Sequence, residues 1–186
     1  MKQSLYFLII LVLYAPLVFC QDTEASRAKQ RQLMNDAGVM HIQLLVMGTK
    51  STSPNSRDTA VEPFKEGDKI KVKVVITNSS NDPVRVPITD TYLQNRPQLY
   101  KDGDLLPYLK TIERVTQVDE APTSFLRTDS GILSPSTPKL VEVISLSDWY
   151  KPLKPGHYRL TVKHRFEWGG TWIESSPGTF EVSSKQ

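Results

Sequence analysis

The side chains able to do chemistry are few and widely spaced. A nucleophilic site needs a histidine beside a serine and a carboxylate, and the chain offers only His41, His157 and His164. His157 and His164 are separated by an odd number of positions and fall on opposite faces of one strand, so a Ser/His/Asp group could form only by convergence of distant residues on His157 or His41. There is no G-x-S-x-G elbow, no H-E-x-x-H, no phosphate loop and no dinucleotide fingerprint. No catalytic residue and no cofactor is therefore expected. Met40, His41 and Met47 are ligand types of exported copper sites, yet His41 and Met47 stand about 20 Å apart along a strand and cannot reach one ion. Asp102 and Asp104 flank Gly103 as at the start of a calcium loop, but the later acidic ligands at regular spacing are missing, so the segment reads as a turn. His164 lies among apolar neighbours and reads as a core imidazole with a local hydrogen bond. No metal site is expected.

Surface chemistry is more promising. Trp149, Tyr150, Trp168 and Trp172 form an aromatic set, and exposed aromatics stack on sugar faces and anchor protein interfaces. Trp149, Tyr150 and Trp168 also suit core plugs, whereas Trp172 is expected to face outward. Lys69, Lys71 and Lys73 with Arg159, Lys163 and Arg165 make a basic row that could line a groove for an acidic glycan or a membrane surface. It equally suits a solvated sheet face that Glu142, Glu167, Glu174 and Glu181 partly neutralise. Asn78-Ser79-Ser80 is a glycosylation sequon at an expected strand end.

The first twenty residues, MKQSLYFLIILVLYAPLVFC, hold one cation, an apolar run and the only cysteine, Cys20. They read as an export signal cleaved after Cys20. Lipidation at Cys20 and an uncleaved anchor are the alternatives, and only through these would the chain meet a membrane. Cleavage removes the sole thiol, which excludes a disulfide framework. It leaves 166 of 186 residues with 22 basic and 20 acidic side chains. That size suits one domain, and that balance gives no electrostatic case for nucleic acid.

Residues 21–38 are polar, lack aromatics and read as a flexible or partly helical leader. From residue 39 to the end the dominant period is two, the pattern of half-buried strands. In 39–47, Met40, Ile42, Leu44 and Val46 share a face; in 68–78, Ile70, Val72, Val74 and Ile76 oppose the lysines. Val84, Val86 and Ile88 continue the inward face, with Pro87 marking an edge or bulge. Asp102-Gly103 suits a tight hairpin turn. Residues 110–138 carry no firm assignment and are expected to hide a short strand or helix. In GHYRLTVKHRFEW, Tyr158 to Trp168 put His164, Phe166 and Trp168 inward and Lys163, Arg165 and Glu167 outward. If Gly169-Gly170 makes a two-residue turn, Phe166 meets Ile173, Arg165 meets Glu174, and Trp172 stands beside Glu167 on the outer face. Phe180 and Val182 then have the wrong parity, so an extra residue is expected within 175–178.

The run Leu153-x-Pro155-Gly156-x-Tyr158, leading straight into a strand, resembles the tyrosine corner of immunoglobulin-like and fibronectin type III-like β-sandwiches. Leu160 stands where antibody domains carry a half-cystine, so the resemblance is to the disulfide-free members. It implies an all-β antiparallel sandwich of about seven to nine strands over 39–186, with Leu153, Gly156 and Tyr158 as the structural corner.

A sandwich of this kind hosts many activities. The expected one is an exported, non-catalytic module at the cell envelope, in the periplasm or outside the cell. It would recognise a protein or a glycan through Trp172, Glu167, Trp168, Trp149 and Tyr150 at one loop end. The alternative is an inhibitor or accessory subunit of an envelope hydrolase, acting through 110–138. A hydrolase with converging distant residues is a third.

Overall fold

A computed structural model describes residues 24–47, 64–88, 90–117 and 129–185; Cys20 and residues 118–128 lie outside them. The described chain is mostly β, and the strands appear where the alternation places them. β1 (Met40–Met47) buries Met40 and Ile42 and exposes His41, Gln43 and Leu45. β2 is Phe64–Lys65. β3 (Lys71–Asn78) buries Val72, Val74 and Ile76 and turns Lys71 outward. β4 is Val84–Ile88, with Val84 and Val86 inside. A single turn, α2 (Thr91–Gln94), is capped by the Asp90 carboxylate accepting from the Tyr92 amide. It leads into β5 (Asn95–Lys101) and β6 (Asp104–Leu105).

The connection between β5 and β6 is a two-residue turn, with Tyr100 opposite Leu105 and Lys101 opposite Asp104. Asp102 and Gly103 both take positive φ, 51° and 101°, which matches the strand twist and which Gly and Asp tolerate best. Within 110–138, both a helix and a strand occur: α3 (Lys110–Thr116) and β7 (Asp129–Leu133). β8 (Lys139–Ser145), a 3₁₀ turn at Leu146–Asp148, β9 (Gly156–His164), β10 (Ile173–Glu174) and β11 (Gly178–Ser183) complete the described strands.

Three sheets form. One has the order β1-β3-β8 and another β2-β11-β9-β5-β6, with β10 pairing β9; β4 and β7 make a two-stranded ribbon. All pairs are antiparallel except β11 with β2. The buried faces of both larger sheets, the ribbon's Val84, Val86 and Leu133, and Trp149 belong to one hydrophobic core. Burial of aliphatic side chains at roughly 1.5–3 kcal/mol each is what holds this arrangement.

The run from Leu153 to Tyr158 is closed by a local bond. Gly156 opens β9 at φ 152°, and the Tyr158 hydroxyl donates to the Lys154 carbonyl at 2.6 Å. The Tyr158 ring is buried and stacks on Phe180 at 5.2 Å.

The hairpin after β9 differs from the register expected around Gly169-Gly170. Ile173 faces His164 and Glu174 faces Lys163, so β9 stops at His164 and residues 165–172 form a longer connection. The cause is Arg165. Its amide donates to the Gln94 carbonyl at 2.9 Å, its Nε donates to the Leu93 carbonyl at 3.0 Å, and it is only 8% exposed. A two-residue turn would have left it on the wet face. The extra residue in 175–178 is also found: from Ile173 to Gly178 is five positions, while their partners His164 and Leu160 are four apart. At the break, Ser175 Oγ accepts from the Val162 amide at 3.0 Å, replacing a ladder carbonyl.

Residues 24–34 form a helix, α1, rich in Ala, Arg, Lys, Gln, Leu and Met, which favour that state. It packs on the strands. Met34 is buried and Leu33 lies against the core.

Candidate binding surface

The five expected contact residues divide into an inner pair and a surface group. Trp149 and Tyr150 are 1% and 2% exposed, which corrects their assignment to a loop-end platform. Trp149 is covered by the rings of Tyr92 at 5.1 Å and Tyr108 at 5.5 Å. Tyr150 has a definite structural task. Its hydroxyl donates to the Pro97 carbonyl at 2.5 Å and accepts from the Leu99 amide at 3.2 Å. These are groups of β5 beyond the reach of short β6, so the phenol serves them as a neighbouring strand would. Burial pushes the Tyr150 hydroxyl far above its ordinary ionisation range.

Glu167, Trp168 and Trp172 do come together, in the 165–172 connection. The Arg165 guanidinium carbon lies 4.1 Å from the Trp168 ring centre and 4.6 Å from that of Trp172. Arg96, from β5, lies 5.0 Å from Trp172. The result is a run of alternating Trp and Arg, with the two indoles half-exposed. Cation–π contacts of this kind contribute about 0.5–2 kcal/mol each as the cation is desolvated. Arg96 is held by the Tyr92 carbonyl and, at 2.7 Å, the Asn95 carbonyl. Burial lowers the pKa of both arginines, and Arg96 is lowered further by the charge of Arg165. Among the described residues neither has a carboxylate within ion-pair distance. Aromatic faces and backbone carbonyls stand in for the counter-ion.

α1 is tied to this connection. Asn35 Nδ2 donates to Glu167 Oε1 at 3.0 Å, and Asn35 Oδ1 accepts from the Thr171 amide at 2.6 Å. Arg31 Nε approaches Glu167 Oε2 at 3.8 Å. Further along, Gln30 spans the outer edge of β4: its Nε2 donates to the Pro83 carbonyl at 3.0 Å and its Oε1 accepts from the Arg85 amide at 2.8 Å. Gln94 Nε2 donates to the Pro87 carbonyl at 3.0 Å on the same strand. Hydrophobic periodicity gives no sign of these contacts, which is why the segment reads from sequence as a flexible or partly helical leader.

The remaining candidates separate. His164 is buried, and its Nδ1 lies 2.8 Å from Asn95 Oδ1. Asn95 Nδ2 donates to the Thr91 carbonyl, so Oδ1 is the atom turned to the ring and His164 carries its proton on Nδ1. Burial lowers its pKa from 6.5 to about 4. His41 and His157 are exposed, and their imidazoles make no hydrogen bond with the described residues. Met40 is buried while His41 faces out, on opposite sides of β1. Groups of three or more His, Cys, Asp or Glu able to hold a metal are absent among the described residues. Asp102 takes the His157 amide instead, at 3.3 Å.

Asn78 is not a surface acceptor for glycan. It is fully buried, its Nδ2 donates to the Asp82 and Leu133 carbonyls, and its Oδ1 accepts from the Ser80 amide and hydroxyl. The sequon pattern here is a turn whose amide holds three segments together. Arg165 leaves the basic row for the interior, and Arg159 lies 4.3 Å from the Tyr100 ring centre. Lys69 and Lys71 stay exposed. No helix among the described residues is long and apolar enough to cross a membrane. No family model matches the chain, and no curated protein matches it.

Proposed function

We propose that the chain is an exported, non-catalytic binding module of the immunoglobulin-like β-sandwich class. Its partner is a protein or a glycan at the cell envelope or outside the cell. The order β11-β9-β5 in one sheet and β3-β8 in the other supports the class, because the tyrosine-corner strand then lies between its expected neighbours. The Tyr158 to Lys154 bond supports it further.

One observation carries the binding reading: the Trp168–Arg165–Trp172–Arg96 stack, whose indoles are half-exposed and whose two guanidiniums have no carboxylate within ion-pair distance among the described residues. Such anchors of Trp and Arg are the side chains that dominate recognition surfaces. Trp149 and Tyr150 take no part in it. The test is capture of purified envelope proteins and a glycan array by the full chain, in parallel with Trp172→Ala and Arg96→Ala of unchanged melting. Specific capture lost in both variants supports the reading. Capture unchanged in both moves the site elsewhere, and hydrolysis of an envelope substrate without stable capture overturns it.

A further inference from the structure

Beside the Trp–Arg stack, α1, β4 and β7 enclose an open groove of about 480 Å³. Arg27 and Arg31 line it from α1 and Arg85 from β4. Arg27 and Arg31 are four apart on one helix face, a like-charge spacing that costs a helix stability in isolation. Among the described residues Glu167 is the one carboxylate in the lining, and it is already engaged by Asn35 and Arg31. Arg27 and Arg85 have no carboxylate within ion-pair distance among the described residues. Three cations therefore face one spoken-for anion, an imbalance that favours an acidic occupant.

The groove also has an apolar component. Ile132 of β7 is 52% exposed, with Met34 buried beside it. An inorganic anion or a sulfated sugar would meet the arginines and leave Ile132 wet, whereas acidic and aliphatic side chains in alternation would satisfy both. The groove is also fixed in shape. Gln30 binds α1 to β4 by two hydrogen bonds, and Lys29 pairs with Asp82 at 2.8 Å. Because Gln30 and Gln94 already occupy the outer edge of β4, an occupant is recognised by its side chains and not by adding a strand.

We infer that this groove binds a short acidic, aliphatic peptide segment of a partner protein, which rests on the binding-module reading above and names its partner class. The test is fluorescence anisotropy of the full chain with a labelled peptide of repeated Glu-Leu, against a Gln-Leu control, at rising salt. The expected result is saturable binding of the acidic peptide alone, weakening steeply as salt screens it. Arg27→Glu with Arg85→Glu should weaken it by about tenfold or more, and Ile132→Ser by about threefold. All three sites are exposed, so unchanged melting of the variants is checked first. Equal binding of the Gln-Leu peptide, no saturable binding, or no loss in the double variant overturns the inference. Tighter, arginine-dependent binding of a sulfated oligosaccharide overturns the choice of a peptide. If the peptide fails while capture of envelope components still depends on Trp172, the groove is excluded and the binding-module reading stands. If both fail, both fall.

Discussion

The two ends of β9 are built in opposite ways. At the Gly156 end, Tyr158 bonds Lys154 only four residues back. Next to it lies the Asp102-Gly103 turn, whose Asp102 amide donates to the His157 carbonyl at 3.0 Å. The decisive features are local ones: a Pro-Gly before a Tyr, and an Asp-Gly between two strands. At the His164 end, partners come from 69 positions away for Asn95 and 72 for Leu93, and Asn35 reaches Glu167 across 132 and Thr171 across 136. A local motif can fix a corner, but the 165–172 connection is assembled by long-range polar contacts that leave no local pattern.

The most damaging way to break the second end leaves its surface residues alone. Trp149 backs α2 through Tyr92, and α2 supplies the Leu93 and Gln94 carbonyls that hold Arg165. Trp149→Ala should cost about 3–5 kcal/mol, as expected for deleting a buried indole. Urea unfolding measures the loss. Hydrogen exchange should show 165–172 opening before the Gly156–Tyr158 amides do. Uniform loss of protection would deny that the two ends are independent.

His164 gives the next largest effect, and its sign follows from burial. The folded pKa, about 4, lies below the unfolded value of about 6.5. The unfolded chain therefore binds the extra proton first as pH falls. Stability from keeping this imidazole neutral is complete above the unfolded value and is lost down to the folded one. Between pH 7 and 4.5 the loss should be about 2–3 kcal/mol. His164→Gln should remove that slope, and the difference between variant and parent in urea midpoints across pH isolates it from the carboxylates. Equal slopes would mean that the imidazole is not held neutral by the fold.

Much of the sheet framework was legible in the residues. Alternation located β1, β3 and β4, the Asp-Gly pair located the β5–β6 turn, and parity located the break at Ser175. The register after β9 was not legible, because the pairs Phe166–Ile173 and Arg165–Glu174 look complementary on paper. What overrides them is the burial of Arg165 against α2, a contact set by residues 93 and 94. The candidate surface was half legible. Trp172, Trp168 and Glu167 cluster, but Arg96, Arg165 and Asn35 were invisible as partners, and Trp149 and Tyr150 carry the same residue types for a packing task. Asn78 shows the same limit: a sequon is a local string, and only the fold reveals that its amide is consumed.

A smaller effect sharpens the first end. Tyr158→Phe keeps the ring on Phe180 and removes only the hydroxyl that meets the Lys154 carbonyl. The cost should be about 1 kcal/mol, with binding to any partner at the other end unchanged. Loss of binding in this variant would show that the two ends communicate through β9.

The smallest effect on stability tests the join between α1 and the sheets. Gln30→Ala deletes both bonds to β4, which are open to solvent, so the change in stability should be only about 0.5–1 kcal/mol. The telling readout is local. The Arg85 amide loses its acceptor and should exchange faster, and so should the amides of α1, while Lys154–Tyr158 stays protected. With its edge uncovered, β4 presents unpaired backbone groups of the kind that recruit other strands, and sedimentation at rising concentration should show self-association that the parent lacks. If the variant stays monomeric with α1 protected, the Asn35 and Lys29 contacts suffice to seat the helix. Gln30 would then be a passive surface residue, not the group that closes the edge.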